Sequence, residues 1–134
     1  MTAKVFCDTS VLIRYWAEDD IPRAAAAADL LDSDATLVIS TGVILEALHV
    51  LRTDYGFRNP ALADLLVRFL ARANVQLADA DKGGVISAIY WTQNASARRL
   101  PDAIISVTAH QAGVDSIATF DDKMMSPTVP VRLL

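Results

Sequence analysis

Apolar positions along the chain follow two periods: short β-branched runs, and longer stretches with apolar residues three and four apart. Lys4–Cys7 reads as a first strand closed by Asp8-Thr9-Ser10, and Val11–Trp16 continues as a short apolar helix. Ile21-Pro22-Arg23 opens a second helix through the alanine run to Leu31, with proline at the helix start and alanine inside both favoured there. Thr36–Ser40 predicts a second strand, after which Ser40 or Thr41 caps a helix over Val43–Arg52. Asn59-Pro60 opens a helix whose Leu62, Leu65, Leu66, Phe69 and Leu70 share one face. Val75–Leu77 predicts a third strand, and Asp81 caps a helix through Ile86, Ile89 and Tyr90 that ends near Asn94–Ser96. Leu100–Gly113 predicts a buried helix bounded by Pro101 and by a glycine suited to a left-handed cap. It runs into a short strand over Val114–Thr119, and Val129–Leu134 predicts the last strand.

Strands alternating with helices point to βαβ units, hence to a parallel sheet with helices on both faces. The expected architecture is α/β, a three-layer α/β/α sandwich around a central, mainly parallel sheet. One domain is expected over residues 1–134, since neither linker nor repeat interrupts the pattern.

Composition narrows this picture in three ways. At 53% hydrophobic and 21% charged, the 134 residues can build a proper core and are not a disordered chain. The apolar excess predicts both a sheet covered on two faces and an apolar surface kept for a partner. Cys7 is the single cysteine and lies in an apolar strand, so it reads as a small core residue. The chain opens Met1-Thr2-Ala3-Lys4 and passes straight into a strand, with no secretory leader and no bilayer-spanning run. A reducing cytoplasm is therefore expected, with no membrane. A net charge of −4 excludes nucleic-acid binding through a broad basic surface. It leaves room for a nuclease, because a pocket of carboxylates is acidic and bound divalent cations reverse its local charge.

Four acids carry the candidate chemistry. Asp8 and the pair Asp121-Asp122 follow short apolar strands, where open α/β sheets place their ligands. Asp102 sits in a first helical turn, a position that by itself needs no more than a favourable helix dipole of about 0.3–1 kcal/mol. Glu46 lies in a helix that is apolar on nearly every side, so it is expected to be buried and to need a cation. That cation is either a metal or a salt-bridge partner such as Arg52 or Arg99. His49 completes a Glu-x-x-His spacing, but di-iron bundles need two such motifs on an all-helical scaffold. His49 and His110 read instead as core or rim histidines. Thr9, Ser10 and Thr119 stand beside the acids as hydroxyl groups.

Carboxylates sharing a pocket repel each other unless cations neutralise them. An all-oxygen donor set suits Mg²⁺ or Mn²⁺ and is poor for zinc. Hard ions held this way bind phosphate oxygens, activate water and stabilise a leaving oxygen, which points to phosphodiester hydrolysis. Rival constellations are weaker. Gly83-Gly84 is an isolated pair and not a phosphate loop, Ser10 lacks a histidine base, and Cys7 lacks an activating neighbour.

The order of these residues resembles the PIN-domain ribonucleases, in particular VapC-type toxins of bacterial toxin–antitoxin pairs. The resemblance spans essentially the whole chain. It rests on Val5-Phe6-Cys7-Asp8-Thr9-Ser10-Val11-Leu12, on Ser40-Thr41-Gly42-Val43-Ile44-Leu45-Glu46, on Asp102-Ala103-Ile104-Ile105 and on Thr119-Phe120-Asp121. It implies that Asp8, Glu46, Asp102 and Asp121 coordinate Mg²⁺ or Mn²⁺, with Ser10 and Thr119 as polar helpers. It further implies endonucleolytic RNA cleavage, dimerisation, and inhibition by an antitoxin whose C-terminal segment lies along the toxin. Trp16, Tyr90 and Trp91 suit such contacts. Two departures stand out: Met124-Met125 replaces an aromatic or leucine usual after the last acid, and Asp122 adds a neighbouring carboxylate. Asp121 is taken as the ligand. One of Arg98 and Arg99, adjacent to Asp102, is expected to contact RNA phosphate.

Three other readings compete. A catalytically silent PIN-like module would bind RNA or protein without cutting. A phosphotransfer protein using Asp8 would want a second Asp just after it, which Thr9-Ser10-Val11 does not supply. A structural partner of a regulator would keep its carboxylates only salt-bridged.

Overall fold

Short parallel strands organise the chain, and each of the first three is followed by a pair of helices, as the hydrophobic pattern requires. The computed structural model describes residues 3–134; Met1 and Thr2, the first two residues of the opening read above, lie outside them. The α/β class expected from the sequence is what the structure shows, with six helices and five strands among the described residues. The chain divides into a first unit ending at Ala78 and a second, Asp79–Leu134.

The first unit runs β1 (Lys4–Phe6), α1 (Thr9–Ala17), α2 (Ile21–Leu31), β2 (Thr36–Ile39), α3 (Thr41–Thr53), α4 (Asn59–Leu70) and β3 (Val75–Leu77). Its three strands pair in parallel in the order β1-β2-β3. Leu37 on the middle strand lies opposite Val5 on one side and Val75 on the other. Leu37 and Ile39 are fully buried, as inward positions of a strand flanked on both edges must be. Trp16 at the end of α1 meets Phe69 of α4 edge-on, with ring centroids 5.5 Å apart.

The second unit holds α5 (Lys82–Thr92), α6 (Leu100–Gln111), β4 (Ile117–Thr119) and β5 (Val131–Leu133). Its two strands also pair in parallel, Ile117 opposite Val131 and Thr119 opposite Leu133. The helix α6 buries Leu100, Ala103, Ile104, Ser106 and Val107, as expected. Val114 is 42% exposed and stays outside β4, which is shorter than the apolar run suggested. Likewise α5 stops at Thr92, before the expected Asn94.

Helix boundaries follow local chemistry. Asp8, Asp20, Ser40 and Asp81 each accept a backbone N–H of the first turn of α1, α2, α3 and α5. The helices α4 and α6 have no side-chain cap and begin instead with a proline in the first turn. Gly113, just past α6, has φ +73°, the left-handed conformation that only glycine adopts without strain.

One expectation is corrected. Glu46 is exposed. The helix α3 buries Thr41, Ile44, Ala47, Leu48 and Leu51, a single stripe at helical spacing. Gly42, Glu46 and His49 form the opposite, exposed stripe, while Val43, Leu45 and Val50 are only half-buried. Apolar residues around the whole circumference thus did not mean burial around it. No ion pair involves Glu46 among the described residues, and Arg52, one partner considered for it, donates to Asn59 at 2.8 Å. None of the helices among those residues is long and apolar enough to cross a membrane.

Candidate active site

Asp8 follows β1 and caps α1 with its own side chain. Its carboxylate accepts the Ser10 hydroxyl at 2.9 Å and the Ser10 N–H at 3.4 Å. These two bonds, the hydroxyl first, hold the carboxyl below its ordinary value of 3.8, so Asp8 is ionised at neutral pH. Asp8 and Ser10 are exposed, whereas Thr9 between them is buried at 5% exposure. A helical turn that starts at Thr9 turns its side chain inward and leaves its two neighbours facing solvent. Cys7 is buried as expected, and burial pushes its thiol up. Glu46, on α3 of the same unit, presents an exposed carboxylate.

In the second unit one guanidinium gathers two of the sequence-selected acids. Arg99, the residue just before α6, donates Nε to Asp102 at 2.9 Å and Nη2 to Asp121 at 2.5 Å. The Asp102 side chain is only 14% exposed, against 40% for Arg99 and 44% for Asp121. Asp102 and Arg99 are three residues apart across the helix start, which places both side chains on one side of the first turn. Asp121 arrives from the turn after β4. That turn is built by its own residues: the Asp121 N–H donates to Thr119 Oγ1 at 3.0 Å, and the Lys123 N–H donates to Asp121 Oδ1 at 2.9 Å. The bond from Arg99, then that from Lys123, hold the Asp121 carboxyl below 3.8. Thr119 therefore positions Asp121 through the backbone. The neighbouring Asp122 is not in the bridge.

Both arginines proposed for RNA phosphate are engaged within the protein. Arg98 lies over the Trp91 ring at 4.6 Å and donates to the Trp91 carbonyl at 3.1 Å. Its Nε is buried with no hydrogen-bond partner. Arg99 is held by Asp102 and Asp121. Adjacency in sequence carried no information about which partners these long side chains find within the chain. Trp91 supports Arg98 and Trp16 packs on Phe69, so of the three aromatics assigned to partner contacts Tyr90 is the one left exposed, at 53%.

The bridge decides what the pair can hold. Its donors are carboxylate oxygens alone, and they already converge on a cation, which fits a hard divalent ion and not zinc. No group of three or more His, Cys, Asp or Glu placed to hold a metal is found among the described residues. The model of the PIN domain family matches residues 5–126. The chain belongs to that family. The match takes in Asp8, Glu46, Asp102 and Asp121, and the parallel sheet with six helices is consistent with the three-layer α/β/α PIN fold. PIN domains are generally metal-dependent nucleases, usually with Mg²⁺. No curated protein is similar enough to be matched with this PIN chain.

Sequence reasoning missed two features of this PIN protein. One is the bridging role of Arg99, for which the i, i+3 spacing to Asp102 was the available signal. The other is a cavity of about 600 Å³ between α5 and α6, lined by Asp81, Ser87, Val107, His110 and Thr128 among others. His110 is at its rim and exposed. Nothing in the linear pattern marks a gap between two helices.

Proposed function

We propose that this PIN protein is a metal-dependent endoribonuclease, the toxin of a VapBC-type toxin–antitoxin module. The reading is carried by one observation: two of the four family-position acids, Asp102 and Asp121, converge on a single cation within a chain matched to the PIN family. Asp8, Glu46, Asp102 and Asp121 would hold Mg²⁺ or Mn²⁺, with Thr9, Ser10 and Thr119 in support. The bound ion supplies an activated water and stabilises the leaving oxygen of the phosphodiester. The residues of the chain prepare that chemistry. Ser10 orients the Asp8 carboxylate through its hydroxyl, and Thr119 and Lys123 fix Asp121 in its turn. The PIN match runs through both units, which supports a single nuclease domain over residues 1–134. A cytoplasmic homodimer held in check by an antitoxin completes the reading, supported by the exposure of Phe120 at 84%, Tyr90 and Ile105.

Purified, antitoxin-free protein incubated with bacterial total RNA tests this. Cleavage at discrete sites is expected with Mg²⁺ or Mn²⁺ and none with a chelator. The Asp8→Ala and Asp102→Asn variants are expected to lose at least about a hundredfold, the scale on which removing a charge-stabilising group acts. Absence of cleavage under every condition would reject the enzyme. A second reading draws on the Arg99 bridge: carboxylates that are only salt-bridged, in a silent RNA- or protein-binding module. That module would be left with no metal-dependent cleavage and no heat on titration with Mn²⁺.

A further inference from the structure

Arg99 is bound more elaborately than a helix-start arginine needs. Its guanidinium spans Asp102 and Asp121, two acids that arrive from different elements, α6 and the turn after β4. The residue before it is anchored separately, Arg98 on the ring and carbonyl of Trp91, so the approach of Arg99 to the two carboxylates is set from its N-terminal side. Charge arithmetic within the bridge is incomplete. Two carboxylates and one guanidinium leave one net negative charge, whereas a divalent ion would leave none. The guanidinium nitrogens stand 2.5–2.9 Å from carboxylate oxygens, and oxygen ligands approach Mg²⁺ to about 2.0–2.1 Å. The Oδ2 atoms of both acids are taken up by guanidinium N–H groups, so a divalent ion that uses those same oxygens has to displace Arg99.

A place for the displaced side chain is already present. Arg99 lines a cavity of about 360 Å³ together with Ser96, Asp122, Lys123 and Met125. Asp122 there is a carboxylate outside the bridge, one residue along from Asp121.

We infer that Arg99 is a built-in cation that closes the Asp102–Asp121 pair, and that a divalent ion enters only as Arg99 moves from this pair toward Asp122. This rests on the reading of Asp102 and Asp121 as metal ligands. It assigns the two neighbouring acids different tasks: Asp121 serves whichever cation occupies the pair, and Asp122 receives the arginine that leaves. Arg99 then acts as a positioning residue that keeps two repelling carboxylates together while no metal is bound, and it sets the metal concentration at which the pair loads.

Two measurements on the full chain test it. The first is calorimetric titration with Mn²⁺ of wild type, Arg99→Gln, Asp122→Asn and the double variant, each checked for folding by circular dichroism. Arg99→Gln is expected to tighten Mn²⁺ binding roughly three- to tenfold, the scale of one or two half-exposed ion pairs. Asp122→Asn is expected to weaken it in the wild-type background and to have no effect once Arg99 is gone, which is the signature of coupling through Arg99. Equal or weaker binding in Arg99→Gln, while wild type binds, overturns the inference and leaves the metal reading standing. Absence of binding in all four proteins overturns both. The second needs no variant: on adding Mg²⁺ the Arg99 Nε–H resonance is expected to shift in step with metal occupancy, while that of Arg98 stays in place. Saturation with Mg²⁺ without movement of the Arg99 resonance overturns the inference.

Discussion

Tyr55 shows how single side chains tie this chain together outside the acid site. Its hydroxyl donates to Asp19 at 2.8 Å, and Arg14 donates to the other oxygen at 3.3 Å. The Tyr55 bond holds Asp19 below its ordinary 3.8, and the carboxylate in turn raises Tyr55 above 10.0. A lowered carboxyl contributes stability above its unfolded value and loses it as pH falls through the folded one. A raised phenol contributes below its unfolded value and loses it as pH rises through the folded one. Tyr55→Phe is therefore expected to melt below wild type between about pH 5 and 9. Thermal scans should show the gap closing at both acid and alkaline ends, and a gap that does not change with pH would contradict the assignment. This residue pair is 36 positions apart in sequence, and no local pattern announces it. The turn Asp8-Thr9-Ser10 was legible for the opposite reason: it is decided over three residues by local backbone geometry. Glu46 marks the boundary between the two cases, since its side of α3 follows from which half of an apolar helix finds neighbours.

The secondary-structure elements were largely legible because helix starts and strand runs are local. Val75–Leu77, Ile21–Leu31 and Asn59 as a helix start stand where the pattern placed them. The shortened ends at Thr92 and Ile117 reflect competition between continued helix or strand and the turns that follow. Among the elements of the first unit, β2 is the strand paired on both edges. Leu37→Ala removes a side chain with no exposed surface from its middle. The expected cost is about 2–5 kcal/mol, the range for truncating a buried leucine. Denaturant unfolding measures it, and a loss well under 1 kcal/mol would mean that the strand does not sit at the centre of the packing.

For the whole molecule, the net charge of −4 leaves no broad basic face for a polyanion. The two units each hold parallel strands and a buried helix face. If the proposed single domain holds, the 134 residues are expected to unfold in one cooperative transition. Differential scanning calorimetry of the metal-free protein should give one peak whose calorimetric and van't Hoff enthalpies agree. Two resolved peaks would mean that the units ending at Ala78 and starting at Asp79 fold independently.

By itself the sequence determined the α/β class, the turn at Asp8-Thr9-Ser10, the cap Asp81, the proline start and glycine stop of α6, and the identity of the acids worth following. Each of these depends on spacing, propensity or the residue type a backbone position demands, all of which act within a few residues. Only the tertiary structure decided that Glu46 is exposed, that Arg98 rests on Trp91, and that Arg99 reaches Asp121, 22 positions on, while holding Asp102. Those outcomes depend on which surfaces meet once the helices and strands pack, and a long charged side chain takes whichever partner that packing brings within reach.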